Sequence, residues 1–157
     1  LMLKTLRGTM TGYNLSQALG RCNSYIHAFE RKAGTNPHLS TCQAIARALD
    51  HRIGWTLHGL AEPTTTPVLL DAIMRQLAAD GTEADRWDRQ ILLRTLVMVR
   101  HERGLSQQRL GRFTASAVSG FEGGGDSKLS TYTRYARALG GELQWLLEPI
   151  EFEKEEE

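Results

Sequence analysis

Residues 39–57 read LSTCQAIARALDHRIGWTL, and residues 129–147 read LSTYTRYARALGGELQWLL. At a single offset of ninety residues, without a gap, Leu-Ser-Thr meets Leu-Ser-Thr, Ala46 to Leu49 meets Ala136 to Leu139, and Trp55 meets Trp145. Agreement this dense at one offset marks an internal repeat of a small structural unit. In the first copy Cys42, Ile45, Ala46 and Leu49 recur at i, i+3, i+4 and i+7, the stripe of a helix packed on a core, with Ser40 or Thr41 placed to cap its start. The second copy puts Tyr132, Tyr135, Ala136 and Leu139 at the same places. Upstream, Cys22, Ile26, Phe29 and Ala33 define another buried face, and Asn23, Ser24, His27, Ala28, Arg31 and Lys32 point outward.

Working outward, a chain of 157 residues that repeats a unit of about sixty holds two small domains, each marginal alone. Two cysteines, no basic-then-apolar leader and no long apolar run predict an intracellular, cytoplasmic protein that is soluble, without structural disulfides and without membrane contact. The densest apolar stretch, ILLRTLVMV from Ile91, is interrupted by Arg94 and too short to span a bilayer. The net charge of +1 hides an asymmetry. Residues 1–60 carry seven Lys or Arg against two acids, residues 61–148 balance, and the end, PIEFEKEEE, carries one Lys against five Glu. An electropositive first unit suits a surface that meets phosphates.

Proline is scarce and strand-like alternation is not sustained, so the reading is all-α. The first domain takes residues 1–60. Residues 61–81 form a linker and connector helix: AEPTTTP is rich in breakers, Thr66 and Pro67 suit an N-cap and first turn, and Leu69, Leu70, Ile73, Met74 and Leu77 share one side. The second domain, residues 82–149, opens with Thr82 and Asp85 as a capping box for a helix reaching Arg103 and Gly104. Residues 150–157 are an acidic tail. Trp55, Trp87 and Trp145 read as core packing at helix ends.

Other chemistry is weaker. Cys22, His27, His38 and Cys42 are spaced C-x4-H-x10-H-x3-C, which fits no common zinc finger, and helical periodicity sends both cysteines inward and His27 outward, so neither a metal site nor a cofactor is expected. No Ser/His/Asp arrangement, paired carboxylates or phosphate-binding glycine motif stands in a recognisable context, so an enzyme is not expected.

The segment MTGYNLSQALGRCNSYIHAFERKAGTNPHLSTCQAIARAL, residues 10–49, resembles the five-helix, lambda-repressor-like DNA-binding domain of phage repressors and Cro proteins, the Cro/C1-type or XRE helix-turn-helix family. Leu15 takes the inward place on the second helix, Gly20 to Cys22 the turn, Ile26 and Phe29 the inner face of the recognition helix, and Glu30 the family's acidic position. The second copy resembles the same family at RHERGLSQQRL, SAVSGFEGG and LSTYTRYARAL. The resemblance implies two tandem five-helix domains joined by a helical connector. It also implies that the recognition helix near residues 22–33 enters the major groove of double-stranded DNA. Asn23, Ser24, Tyr25, His27 and Ala28 would then read bases, while Thr11, Arg31, Lys32, Thr35, Asn36 and His38 would lie at phosphates. Gln107, Thr114, Ala115, Ser116 and Ser119 make up a second candidate DNA site.

Two departures stand out. The family usually begins its second helix with a Gln, where the first repeat has Gly12 and the second keeps Gln107; and Leu110 to Val118 is three residues shorter than Leu15 to Ile26, so that the turn or recognition helix of the second repeat is truncated. The function implied is a sequence-specific transcriptional repressor of phage or mobile-element origin that binds a DNA operator. The alternative is an antitoxin or antiactivator whose second domain captures a partner protein while the first autoregulates its promoter. The apolar surface of residues 68–80 and 91–99 adds the expectation of a homodimer through the connector and second domain.

Overall fold

A computed structural model describes residues 7–31, 36–60, 81–111 and 113–150. The connector helix expected at 68–80, Lys32, Thr35 and the acidic tail lie outside them. In the first repeat, α1 (Gly12–Ala18), α2 (Tyr25–Arg31) and α3 (Leu39–Arg47) lead into strand β1 (His51–His58). In the second, α4 (Gly81–Glu102), a 3-10 turn (Gln107–Arg109), α5 (Ala115–Glu122) and α6 (Leu129–Ala138) lead into β2 (Glu142–Pro149). Asp50 and Gly140, ninety residues apart, each turn the chain from helix to strand through a left-handed backbone, with φ of 57° and 88°. Glycine accepts that conformation freely, and Asp is among the few side chains that tolerate it.

The two strands overturn the all-α expectation of two five-helix domains. They pair with each other, antiparallel, in a register that sets Trp55 against Trp145, His51 against Pro149 and His58 against Glu142. Ile53, Trp55 and Leu57 alternate along β1, with Leu147, Trp145 and Leu143 as their partners, so the ribbon has one apolar face. Three apolar residues per strand make a short signal, and among the described residues neither strand has a partner inside its own repeat. The tryptophans at 55 and 145 therefore lie in the ribbon, at its centre, and not at helix ends.

Because the strands cross between repeats, the main core is shared. Leu92, Leu93, Leu96 and Val99 of α4 pack with Val118, Phe121, Tyr132, Tyr135, Leu139 and Leu143, and Leu39 and Leu60 of the first repeat join the same cluster. Edge-to-face contacts carry this packing to the ribbon, from Phe121 to Tyr132 at 5.1 Å and from Tyr132 to Trp145 at 6.0 Å between ring centres. Of the two apolar stretches that prompted the homodimer expectation, residues 68–80 lie outside the described residues, and in 91–99 Ile91, Leu92, Leu93, Leu96 and Val99 are buried within the chain. Among its described residues the first repeat keeps a satellite cluster around Leu15, Ile26 and Ile45. Cys22, read as inward, is exposed.

A second seam runs between the starts of α3 and α6. The Leu39 N–H donates to the Ser127 carbonyl at 2.9 Å and the Leu129 N–H to the Pro37 carbonyl at 3.0 Å. Neither N-cap residue, His38 or Lys128, caps its own helix through its side chain. The caps come from the opposite repeat. Asp126 accepts from the Ser40 N–H at 3.2 Å and from the Ser40 hydroxyl, while Asn36 accepts from the Ser130 N–H at 3.2 Å. Ser40 and Thr41 therefore do not cap α3 as expected; Asp126 does. Nor does Asp85 close a capping box with Thr82. Its carboxylate takes two hydrogen bonds from Arg47 of α3, at 3.0 and 2.6 Å, and the first-repeat side chain Gln43 donates to its carbonyl at 2.9 Å. A bidentate arginine fixes geometry as well as charge.

With core, ribbon and caps all shared, urea unfolding followed at the tryptophans should show one cooperative transition for both repeats. Asp126→Ala should shift that whole transition by about 1 kcal/mol, the usual cost of losing a helix cap. A separate early transition confined to one repeat would count against the shared core.

Candidate nucleic-acid interface

The expected recognition helix, α2, is set against α1 by buried polar contacts as well as by Leu15 and Ile26. Thr11 caps α1, accepting from the Asn14 N–H at 3.1 Å. The fully buried Ser16 hydroxyl donates to the Gly12 carbonyl at 2.7 Å and accepts from the Ile26 N–H at 3.2 Å. One side chain therefore ties the middle of α1 to the start of α2. From behind, Arg7 grips Glu30 through two hydrogen bonds, at 2.8 and 3.2 Å, and donates to the Met10 carbonyl at 2.7 Å. The Glu30 hydrogen bond is the chief cause of the raised Arg7 pKa.

On the free side of α2, Ser24, His27, Ala28 and Arg31 are exposed at i, i+3, i+4 and i+7, one stripe of the helix, and Asn23 stands exposed just before it. The Asn23 amide oxygen accepts from Gln17 of α1, which orients the group. The Arg31 Nε donates to the His27 carbonyl at 3.3 Å, leaving the far end of the guanidinium at the surface. Tyr25 differs from its neighbours: half-buried, its ring meets Phe29 at 6.5 Å and lies under the Arg21 guanidinium at 5.6 Å. Asn36 and His38 belong to the seam. Asn36 is engaged with Ser130, and the His38 Nδ1 lies 3.1 Å from the Asp126 carbonyl and 3.4 Å from its carboxylate. The Gly12 departure also has a local correlate, since the His27 ring lies 3.3 Å from where a side chain at position 12 would begin.

The second repeat keeps the brace and alters the rest. Arg100 grips Glu122 at 2.7 and 2.9 Å and donates to the Leu105 carbonyl at 2.7 Å, the same three contacts that Arg7 makes. Tyr135 and Gln107 also donate to Glu122, at 2.5 and 2.8 Å. Gln107 thus completes an internal ion pair. The three missing residues are taken from the segment matching α1, which shrinks to the 3-10 turn, while α5 keeps its full length. The expected truncation accordingly falls before the recognition helix, not in it. Thr114 caps α5, accepting from the Ala117 N–H at 3.2 Å, and Ala115, Ser116 and Ser119 are exposed along it.

Sequence reasoning singled out Glu30 but not Arg7, Ser16 or Gln17. The repeat carries the missing signal for Arg7, because Arg7 precedes Glu30 by 23 residues and Arg100 precedes Glu122 by 22. The Cys42 thiol is pushed up to about 11 by burial and the nearby Asp126 carboxylate, which leaves it a neutral, inert group. Among the described residues no helix is long and apolar enough to cross a membrane. Comparison of the chain with protein-family models, with curated proteins and with solved structures finds no match.

Burial works against the Glu122 charge, but the hydrogen bonds from Arg100, Tyr135 and Gln107 outweigh it and hold its carboxyl below the ordinary value. A depressed carboxyl pKa stabilises the fold fully above the unfolded value of about 4.3 and ceases to do so as the pH falls through the folded value. Glu122→Gln should cost about 3 kcal/mol at neutral pH, near the low end for breaking a buried pair. In urea titrations the gap to wild type should narrow below about pH 4. A gap that stays constant down to pH 3 would mean that Glu122 does not carry this charge.

Proposed function

We propose that this protein is a sequence-specific, double-stranded DNA-binding transcriptional regulator of the Cro/C1 helix-turn-helix type, a repressor of phage or mobile-element origin acting in the bacterial cytoplasm. The observation that carries the reading is the exposed stripe of Asn23 and Ser24 just before α2 and His27, Ala28 and Arg31 on it, with the helix fixed from behind by Arg7, Glu30 and Ser16. A helix that reads base edges needs an outward face free of its own core and a rigid seat, since groove contacts tolerate little misplacement. Asn23 has the paired donor and acceptor that match adenine, the Ala28 methyl suits a thymine methyl, and Arg31 suits a phosphate. The basic balance of residues 1–60 adds the sequence-independent attraction. Tyr25 acts as a packing residue in this reading, and Asn36 and His38 hold the seam.

A second reading, capture of an acidic partner protein by the second repeat, is favoured by one observation. A groove of about 460 Å³ beside the 3-10 turn and α6 is lined by the exposed Arg109, Arg134 and Arg137. The two readings agree on the first repeat.

Duplexes selected from a random library should therefore yield a preferred sequence. On it, Asn23→Ala should cost about 1–3 kcal/mol while leaving non-specific binding intact. Arg31→Ala should weaken binding on all sequences and lower the slope of log affinity against log salt by about 1. Failure of the wild-type chain to bind any duplex in 50 mM salt would end the reading.

A further inference from the structure

We infer that the chain is its own dimer: α5 is a second DNA-reading helix, related to α2 by an internal two-fold axis, and one chain occupies an imperfect inverted repeat. The inference rests on the DNA-binding reading above and extends it to the architecture of the DNA site.

The axis follows from the contacts. Trp55 pairs with Trp145, its own copy ninety residues on, and the three pairs on either side of it, from Arg52↔Glu148 to His58↔Glu142, are symmetric about that one. The seam obeys the same rule: His38 bridges to Lys128, Asn36 bonds Ser130 and Asp126 bonds Ser40, and each of these exchanges a position with its copy. Two separate contacts with one exchange relation define a two-fold axis through the ribbon and the seam. Helices α2 and α5 are copies of one another, since Glu30 and Glu122 take the same brace from Arg7 and Arg100 and Ile26 and Val118 take the same buried place, so the axis relates them as well. The chain passes from the end of α2 at Arg31 to the seam at Asn36 within five residues, and from the end of α5 at Glu122 to the seam at Asp126 within four.

Two helices related by such an axis are presented to DNA as the two halves of an inverted repeat, because the duplex has the same two-fold symmetry along its length. A second copy of the chain is not needed to complete the arrangement. Each strand already has its partner, and Ile91, Leu92, Leu93, Leu96 and Val99 of α4 are already buried. The halves differ in what they offer. The outward face of α2 has an amide, an imidazole and a guanidinium, whereas α5 shows Ala115, Ser116, Ser119 and Gly120. The α5 half-site should accordingly tolerate more sequences than the α2 half-site.

The test uses the full chain on the duplex selected as above. Light scattering of the complex should give one chain per duplex, and the footprint should span two successive major grooves on one face. Inserting half a helical turn between the half-sites should reduce affinity to that of a single half-site. Ser119→Glu, on an exposed position of α5, should weaken binding about tenfold or more at unchanged thermal stability, since it brings a negative charge to the phosphates. Two chains per duplex, or wild-type affinity for Ser119→Glu on a site where Asn23→Ala is impaired, would overturn the inference and leave first-repeat DNA binding standing. Absence of any DNA binding by the wild-type chain would remove both.

Discussion

Each strand of this protein has its partner in the other repeat. A lone edge strand exposes a row of unpaired N–H and C=O groups, and a two-stranded ribbon is marginal unless one face is covered. Here the edge of each strand is met by its copy, and the apolar face, centred on Trp55 and Trp145, rests on Tyr132 and the helices beneath it. The helices depend on this arrangement in turn. Among the described residues the first repeat has a small core of its own around Leu15, Ile26 and Ile45, and Leu39 and Leu60 find cover in the cluster shared with α4.

The same dependence explains what was legible in the sequence. The stripe at Tyr132, Tyr135, Ala136 and Leu139 is a local, periodic signal, and all four residues are buried. The long helix before Gly104 was legible for the same reason, down to its end at Glu102. The strands were not. HRIGWTLH alternates over three apolar residues, and what makes it a strand is a partner ninety residues away, which no local window contains. Asp85 shows the limit for polar groups: its spacing from Thr82 fits a local cap, yet Arg47 from the other repeat offers two aligned donors and prevails.

For the candidate site, outward direction on α2 could be read from periodicity, which served Ser24, His27, Ala28 and Arg31. The residues beyond the helix were harder. Asn36 and His38 follow α2 closely in sequence, where the family resemblance put phosphates, but the repeat's second copy competes for the same groups. The support behind α2 was hidden because Arg7 and Ser16 act through partners distant in sequence.

The ribbon also holds a rule about which strands belong together. Arg52 lies across from Glu148, with 2.7 Å between charged groups, and His58 lies across from Glu142. If β1 paired with a β1 from another molecule in the same register, Arg52 would face His58; if β2 paired with β2, Glu142 would face Glu148. Like charges directly opposite disfavour the β2 pairing, and the β1 pairing takes Arg52 from its carboxylate, so the duplicated halves have diverged into complementary ones. Charge does not, however, distinguish a chain closed on itself from two chains that exchange halves, since the contacts are identical. That choice falls to the covalent link itself, since joining two halves in one chain sets an effective concentration, on the order of millimolar for a short link. Below that concentration closure prevails; above it, halves exchanged between chains become a competing assembly with no new chemistry at all.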